Sequence, residues 1–239
     1  MVFPKEFTTL QYNFAKRANE ITSTPIYDCL FNYTSLPIRF GIQFSELNTN
    51  NPIWQEFLKK AENNNVENII YEYHIQQQKD APPMRTQFGC FSYDVLVEER
   101  GVKIHFANND SPEPGVLSTE RIPARKEELK EMFSEIKSKY PDFTFVISSS
   151  WLYNIPAFNR LFPSEFTRNL TPKKNDYRSL GIWGQFIDKY GNIKEDLKNQ
   201  FNQNIQKAQT MEELDNAFPL KDMKAQSDIS VFYEFLGVL

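Results

Sequence analysis

The sequence predicts an α/β (α+β) protein in which a mixed, largely antiparallel central sheet is flanked by helices. Segments of strict apolar-polar alternation are interspersed with segments of helical periodicity. Phe143 to Ile147 is a short apolar run, which is typical of a strand covered on both faces. The chain has 239 residues and no internal repeat. We predict one compact domain, with an N-terminal helical or irregular region over residues 1–66 and an α/β core with C-terminal helices over residues 67–239.

Composition and charge limit the classes of partner. The chain is 40% hydrophobic and contains 21 phenylalanines, which argues against disorder. Its net charge of −4, with the two signs interleaved, disfavours nucleic-acid binding, because that depends on clustered Lys and Arg at phosphates. Two histidines and two cysteines provide neither a disulfide framework nor metal-ligand spacing. We therefore expect a small-molecule substrate, no nucleic-acid partner and no metal.

The start of the chain and its apolar runs bear on location. The first residues lack a basic segment followed by an apolar one, which a secretory signal would need. Apolar runs stay well below the roughly 20 residues that span a bilayer. The sequence thus predicts a cytoplasmic protein without a membrane partner.

The N-terminal third contains two predicted helices and one predicted strand. Helical spacing favours a helix over residues 5–22, and Asn51 followed by Pro52 is typical of a helix start. Residues 26–50 show no regular pattern. Alternation over residues 69–76 predicts a half-buried strand, with His74 on its polar, surface face. A loop is predicted at residues 79–83.

A hairpin is predicted from two alternating segments, residues 88–97 and 102–108. Pairing Val97 with Val102 packs apolar residues against apolar residues along both strands, so we expect this antiparallel register. Gly101 and the three residues before it then form the turn.

The remaining elements follow from periodicity and capping patterns. The predictions are a helix from Pro123 to about Tyr140, the strand at 143–147, a short helix from Pro156 to Phe162 and a strand over residues 180–187. Capping boxes at Asn192 with Glu195 and at Thr210 with Glu213 predict two more helices. The end of the chain, residues 229–236, fits a helix or a strand.

The strongest candidate for chemistry is the pair Asp94 and His105. The predicted register places them directly opposite each other on the less apolar face of the hairpin. A carboxylate that fixes an imidazole tautomer produces a general base. The alternative is a structural cross-strand pair. Cys90 cannot be the partner nucleophile, because the same register places it near Asn109, over about 10 Å from His105.

Three basic residues surround a predicted helix start. Arg121, Arg125 and Lys126 precede or enter the helix whose free amides carry the positive end of the dipole, so they are candidates to grip a phosphate. The alternative is an exposed helix start with mixed charges, since Glu127 and Glu128 are ordinary first-turn residues.

Hydroxyl groups follow the apolar strand. Ser150 and Tyr153 lie just beyond it, and hydroxyls at the carboxyl end of a central strand often face a ligand crevice. The alternatives are a hydrogen bond from Ser150 to the turning backbone and core packing of Tyr153.

The order strand pair, loop, helix, strand, short helix resembles the core of GNAT-type N-acyltransferases. Three segments between residues 88 and 190 are similar to the C-terminal region of a bacterial group of such domains: Ile104-His105-Phe106 through Leu117, Ser150-Trp151-Leu152, and Leu161-Phe162-Pro163. The resemblance implies a sheet splayed after the His105 strand, with acyl-CoA entering the split and an amine approaching from the other side.

Two functions therefore remain open. One is transfer of an acyl group from CoA or a carrier thioester to an amine, with Asp94 and His105 as the base. The other is a non-catalytic binding protein on a degenerate acyltransferase-like fold. The second is favoured by the segment from Arg121 to Arg125, which lacks the glycines of the family's pyrophosphate turn.

Overall fold

The computed structural model describes residues 3–62, 64–79, 87–110 and 113–238. These residues form twelve α-helices and five strands. The helices are α1 (Lys5–Thr22), α2 (Ile26–Tyr33), α3 (Leu36–Arg39), α4 (Pro52–Ala61), α5 (Val66–Lys79), α6 (Ile122–Lys139), α7 (Pro156–Asn159), α8 (Ser164–Arg168), α9 (Leu180–Trp183), α10 (Glu195–Lys207), α11 (Met211–Asp215) and α12 (Ile229–Leu236). The strands are β1 (Phe91–Leu96), β2 (Gly101–Phe106), β3 (Phe145–Ser150), β4 (Thr171–Pro172) and β5 (Met223–Asp228).

The predicted fold class is confirmed: the sheet is mixed, mostly antiparallel and flanked by helices. The chain divides into two compact units. The helical unit comprises Met1–Pro83 with Lys174–Leu220, and the sheet unit comprises Met84–Lys173 with Lys221–Leu239. The predicted boundary at residues 66 and 67 lies inside the helical unit. Among the described residues, no helix is both long and apolar enough to cross a membrane.

The helical unit is built around aromatic side chains. The predicted helices at residues 5–22 and 52–61 are confirmed as α1 and α4, and the Asn51 side chain caps α4 by accepting from the Ile53 amide at 3.0 Å. Phe14 on α1 is fully buried and packs against Trp183 and Phe201, with ring centroids 5.6 and 6.0 Å away. Aromatic burial of this kind is the main stabilising contribution to the unit.

The predicted strand at residues 69–76 is wrong, because these residues lie within α5. The buried residues Ile70, Tyr73 and His74 recur at helical spacing, and the Asn65 side chain accepts from the Asn68 amide at the helix start. His74 is not a surface residue: its side chain is buried and its Nε2 accepts from the Phe3 amide at 3.2 Å. The alternating pattern gave a wrong strand prediction because Tyr and Ile residues occupy both faces of this helix.

Burial of His74 makes the stability of the helical unit sensitive to acid. Desolvation, followed by the nearby Arg39 charge, lowers the pKa of His74 to about 4. The unfolded chain, with an ordinary imidazole, binds more protons between pH 6.5 and 4, so stability is lost as the pH falls through this window. We expect a loss of up to about 3 kcal/mol in the free energy of unfolding.

Urea unfolding at pH 7 and pH 4 measures this loss. His74→Gln keeps an acceptor for the Phe3 amide but does not titrate, so the difference between the two pH values should shrink in the variant. Equal acid sensitivity in the variant and the wild type would assign the loss to other groups.

Three further predictions differ from the structure. Residues 180–187 form α9 and a 3₁₀ turn instead of a strand, and Trp183 Nε1 donates to the Tyr177 carbonyl at 2.8 Å. Residues 26–50, left without a pattern, contain α2 and α3. The capping box at Thr210 is confirmed, but that at Asn192 is wrong because α10 begins at Glu195 after Lys194. Residues 80–83 of the predicted loop lie outside the described residues.

The sheet runs in the order β1-β2-β3-β5-β4. The β1/β2 hairpin is antiparallel as predicted, but its register is shifted by two residues: Val95 pairs with Val102, and Asp94 pairs with Lys103. Gly101 belongs to β2 and not to the turn, because the Phe145 ring packs so closely that a Cβ at Gly101 would lie 2.5 Å from it. The even shift leaves every side chain on its predicted face.

Strands β2 and β3 are parallel and are connected through α6, a helical crossover of the kind that parallel strands need. Their pairing joins Gly101–Lys103 to Phe145–Ile147. The carboxyl halves, Ile104–Phe106 and Ser148–Ser150, are not paired with each other, whereas Ser148–Ser150 pair with β5. The sheet therefore opens between β2 and β3 towards their carboxyl ends.

One face of the sheet is covered by helices. The predicted helix over residues 123–140 is confirmed as α6, and its Phe133 stacks on Phe232 of α12 at 4.4 Å. Residues 229–236 are thus a helix. Strand β5, which separates β3 from β4, is not predicted, because its six residues include Lys224, Gln226 and Asp228 and lack an apolar pattern.

Candidate functional site

Asp94 and His105 contact each other on the more polar face of the β1/β2 hairpin, the face that the helices do not cover. The His105 Nε2 to Asp94 Oδ2 distance is 2.8 Å. The contact is diagonal, because Asp94 pairs with Lys103 and His105 pairs with Ser92, and diagonal neighbours remain within reach of an imidazole. The bond fixes Nε2 as the nitrogen that carries the proton and leaves the lone pair of the neutral ring on Nδ1.

The imidazole is accessible as well as oriented. The side chains of His105 and Asp94 are 39% and 68% exposed. A general base needs this accessibility to reach a substrate, while a purely structural pair at such exposure contributes at most about 1 kcal/mol. His105 also lies in the half of β2 that separates from β3.

Ser149 and two lysines lie on the same sheet face; Ser149 belongs to the serine run that the sequence indicated as facing a crevice, whereas the two lysines were not predicted. Ser149 shares the face of His105, since Lys103 pairs with Ile147 and side chains alternate along each strand. Lys173 Nζ donates to Ser149 Oγ at 3.3 Å, and Lys224 is the cross-strand partner of Ser149. No local signal connects these residues, because β4 and β5 bring them to β3 from distant parts of the chain.

Ser150 and Tyr153 lie on the helix-covered side. Ser150 Oγ accepts from the Leu152 amide at 3.1 Å, so Ser150 caps the 3₁₀ turn Trp151–Asn154. Tyr153 is buried, and desolvation raises the pKa of its phenol, an effect that the nearby Ser148 hydroxyl partly offsets. The structure gives both residues packing and capping contacts, and it does not bring them together with His105.

Arg125 occupies a buried ionic cluster. Its side chain is 2% exposed, and its Nη2 lies 2.8 Å from both Asp110 Oδ2 and Glu128 Oε1. Its Nη1 also donates to Cys90 Sγ. Burial raises the pKa of the Glu128 carboxyl, although the Cys90 amide and Arg125 oppose this shift. Two carboxylates thus offset the charge that a bound phosphate would otherwise meet.

Arg121 and Lys126 are more accessible than Arg125. Arg121 Nε lies 3.7 Å from Asp110 Oδ2, and its side chain is 28% exposed. Lys126 Nζ lies 4.8 Å from the centre of the Phe235 ring. Arg121 and Arg125 therefore share Asp110, whereas Lys126 lies against an aromatic ring.

Cys90 does not contact His105. Its carbonyl accepts from the Ala107 amide at 2.9 Å, and its thiol is buried against Arg125. Burial raises the pKa of the Cys90 thiol, which disfavours the thiolate. The expectation that Cys90 and His105 do not form a nucleophilic dyad is consistent with these contacts.

An open cavity of about 630 Å³ lies between residues 159–167 and α12. Its apolar lining includes Phe162 and Phe235, and its polar rim includes Arg160 and Glu234. Phe162 packs on Phe158 at 5.0 Å, and Phe158 packs on Phe106 at the end of β2 at 5.3 Å. A chain of aromatic contacts thus connects the cavity to the opening between β2 and β3.

Arg160, at the rim of the cavity, hydrogen-bonds to the segment that precedes α6. Its Nη2 donates to the Leu117 carbonyl at 2.5 Å, and its Nη1 lies 3.5 Å from Thr119 Oγ1. Arg160 was not among the predicted site residues. Within the described ranges, no group of three or more His, Cys, Asp or Glu side chains is placed to hold a metal ion.

Comparison of the chain with protein-family models, curated proteins and solved structures gives no match. Function must therefore be argued from the arrangement of residues in the sheet unit.

Proposed function

We propose that the sheet unit is a GNAT-like acyltransferase domain that moves an acyl group from a CoA or carrier thioester to an amine. The supporting observation is the opening between parallel strands β2 and β3, with the oriented and accessible His105 on the strand that borders it. Ligands of open sheets bind outside the carboxyl ends of parallel strands, which is where this opening lies.

In the proposed reaction, the amine nitrogen attacks the carbonyl carbon of the thioester. His105 Nδ1 accepts a proton from that nitrogen as the new carbon–nitrogen bond forms. The carbon–sulfur bond then breaks and the thiolate leaves, taking a proton from solvent or from His105. Asp94 keeps the proton on Nε2 and stabilises the charged ring, a contribution to catalysis of the general-base type.

The acyl donor is proposed to lie on the helix-covered side. The open cavity with Phe162 and Phe235 offers apolar surface for an acyl chain or the arm of the carrier. Arg121 and Lys126 remain the proposed phosphate ligands, whereas Arg125 would have to leave Asp110 and Glu128 to contribute.

The second candidate is a non-catalytic binding protein on the same fold. The neutralised Arg125 favours it, together with the absence of glycines from the segment between Arg121 and Arg125. In that case Asp94 and His105 would be a surface pair, and no thioester would be consumed.

A thermal-shift titration with CoA and acetyl-CoA distinguishes the two candidates. We expect stabilisation of about 2.7 kcal/mol at a hundredfold excess over Kd, because the ligand binds the folded state. Arg121→Ala and Lys126→Ala should reduce the shift, while Arg168→Ala, an exposed change in α8, should not. The absence of any shift at millimolar ligand would remove CoA as the donor and favour the binding protein.

A further inference from the structure

The sheet face that carries His105 is rich in cations. The strand registers place three lysines and Ser149 on this face with His105: Lys103, Lys173 and Lys224 are the lysines. Lys173 belongs to the face because it lies two residues beyond Thr171, which pairs with Lys224.

The carboxylates near these residues have other positions or partners. Asp94 is held by His105 at 2.8 Å. Asp228 pairs with Phe145 at the opposite end of β3 from Ser149. Asp222 lies close enough to Tyr153 to raise the pKa of that buried phenol. Lys173 and Lys224 therefore place two basic side chains beside Ser149, whereas Lys103 lies opposite Asp94.

Ser149 provides the geometric centre of this group. Its hydroxyl accepts from Lys173 Nζ at 3.3 Å, so Ser149 can donate its own hydrogen to a third group. Lys224 is its direct cross-strand neighbour. One ammonium group in contact with Ser149, a lysine on the neighbouring strand and a hydroxyl donor are the kinds of donor that an oxyanion requires.

Ser149, the centre of this donor set, lies on the strand next to that of the proposed base, His105. Lys103 pairs with Ile147, and His105 and Ser149 are each two residues further along the two strands. The two residues thus stand at the same level, on either side of the opening between β2 and β3. A substrate with its amine at His105 that spans the opening would reach Ser149 with its other end.

We infer that the amine acceptor carries an oxyanion, a carboxylate or a phosphate, that binds Ser149, Lys173 and Lys224. This inference rests on the proposed acyl transfer, for which it specifies the acceptor class. The lysines select the substrate and orient its amine, and they take no part in bond making.

Binding and turnover of three matched amines test the inference: β-alanine with a carboxylate, O-phosphoethanolamine with a phosphate, and propylamine with neither. Calorimetric binding to the full chain should favour the two anionic amines and weaken with salt. Lys173→Gln and Lys224→Gln should each weaken that binding about tenfold, which corresponds to one missing charge-assisted hydrogen bond. Propylamine should be unaffected.

The matched control is Lys130→Gln, an exposed lysine on α6, which covers the opposite face of the sheet. Unchanged binding of both anionic amines to the Lys173 and Lys224 variants would overturn the inference. Acyl transfer to propylamine as efficient as transfer to the anionic amines would also overturn it and leave the proposed reaction standing. Lysine-dependent binding without any acyl transfer would support the anion site and reject the reaction.

Discussion

His105→Ala is expected to lower kcat/KM for acyl transfer by about 10²- to 10⁴-fold, the usual contribution of a positioned general base. The imidazole is oriented by Asp94 at 2.8 Å and is 39% exposed. Its removal therefore deletes the proton acceptor but loses little packing. The free energy of unfolding should change by less than about 1 kcal/mol, as expected for an exposed pair. Steady-state kinetics and urea unfolding on the same variant separate the two effects.

Two variants complete this test. Asp94→Asn should cause a smaller loss of activity, because the imidazole remains but its tautomer is no longer fixed by a carboxylate. Ser92→Ala changes the residue directly opposite His105 and should leave activity near the wild-type level. Full activity in His105→Ala would remove His105 from the mechanism, and a lowered melting temperature with unchanged ligand binding would identify a structural pair.

Arg125→Leu is expected to destabilise the sheet unit by about 3 kcal/mol or more, because it removes the cation that two partly buried carboxylates contact and leaves Asp110 with the more distant Arg121, 3.7 Å away. Asp110 and Glu128 each lie 2.8 Å from Arg125 Nη2 and are 23% and 17% exposed. Their partial exposure lets them gain water or a proton, which places the expected loss at the low end of the range for buried pairs. Chemical denaturation at pH 7 measures it.

The control for Arg125 removes the whole ionic cluster. Combining Arg125→Leu with Asp110→Asn and Glu128→Gln should recover much of the loss, since no uncompensated charge remains. Arg168→Leu, an exposed arginine of α8, should change stability by less than about 0.5 kcal/mol. A stable Arg125→Leu protein that loses CoA binding would instead support Arg125 as a phosphate ligand.

The part of the candidate site that lies within one hairpin was predicted from the sequence. Alternation fixed which side chains of β1 and β2 share a face, so Asp94 and His105 were placed together even though the register was two residues off. Ser149, Lys173 and Lys224 could not be found in this way. Their proximity depends on β5 lying between β3 and β4, a pairing of residues far apart in the chain.

Helix and strand assignments failed where local patterns were ambiguous. Residues 69–76 alternate like a strand, but burial of Tyr73 and His74 against other helices selects α5. Gly101 resembles a turn glycine, whereas the close approach of Phe145 places it in β2. In both cases a tertiary contact outweighed the local preference.

Periodicity within short segments was enough to predict the fold class, the helices with clear apolar stripes and the face on which His105 lies. Only the folded chain shows that Arg125 is buried between Asp110 and Glu128, and that Lys173, just after β4, and Lys224 of β5 lie beside Ser149. Such contacts join residues distant in the chain, and the free energy that selects them comes from packing and ion pairing in the whole folded unit.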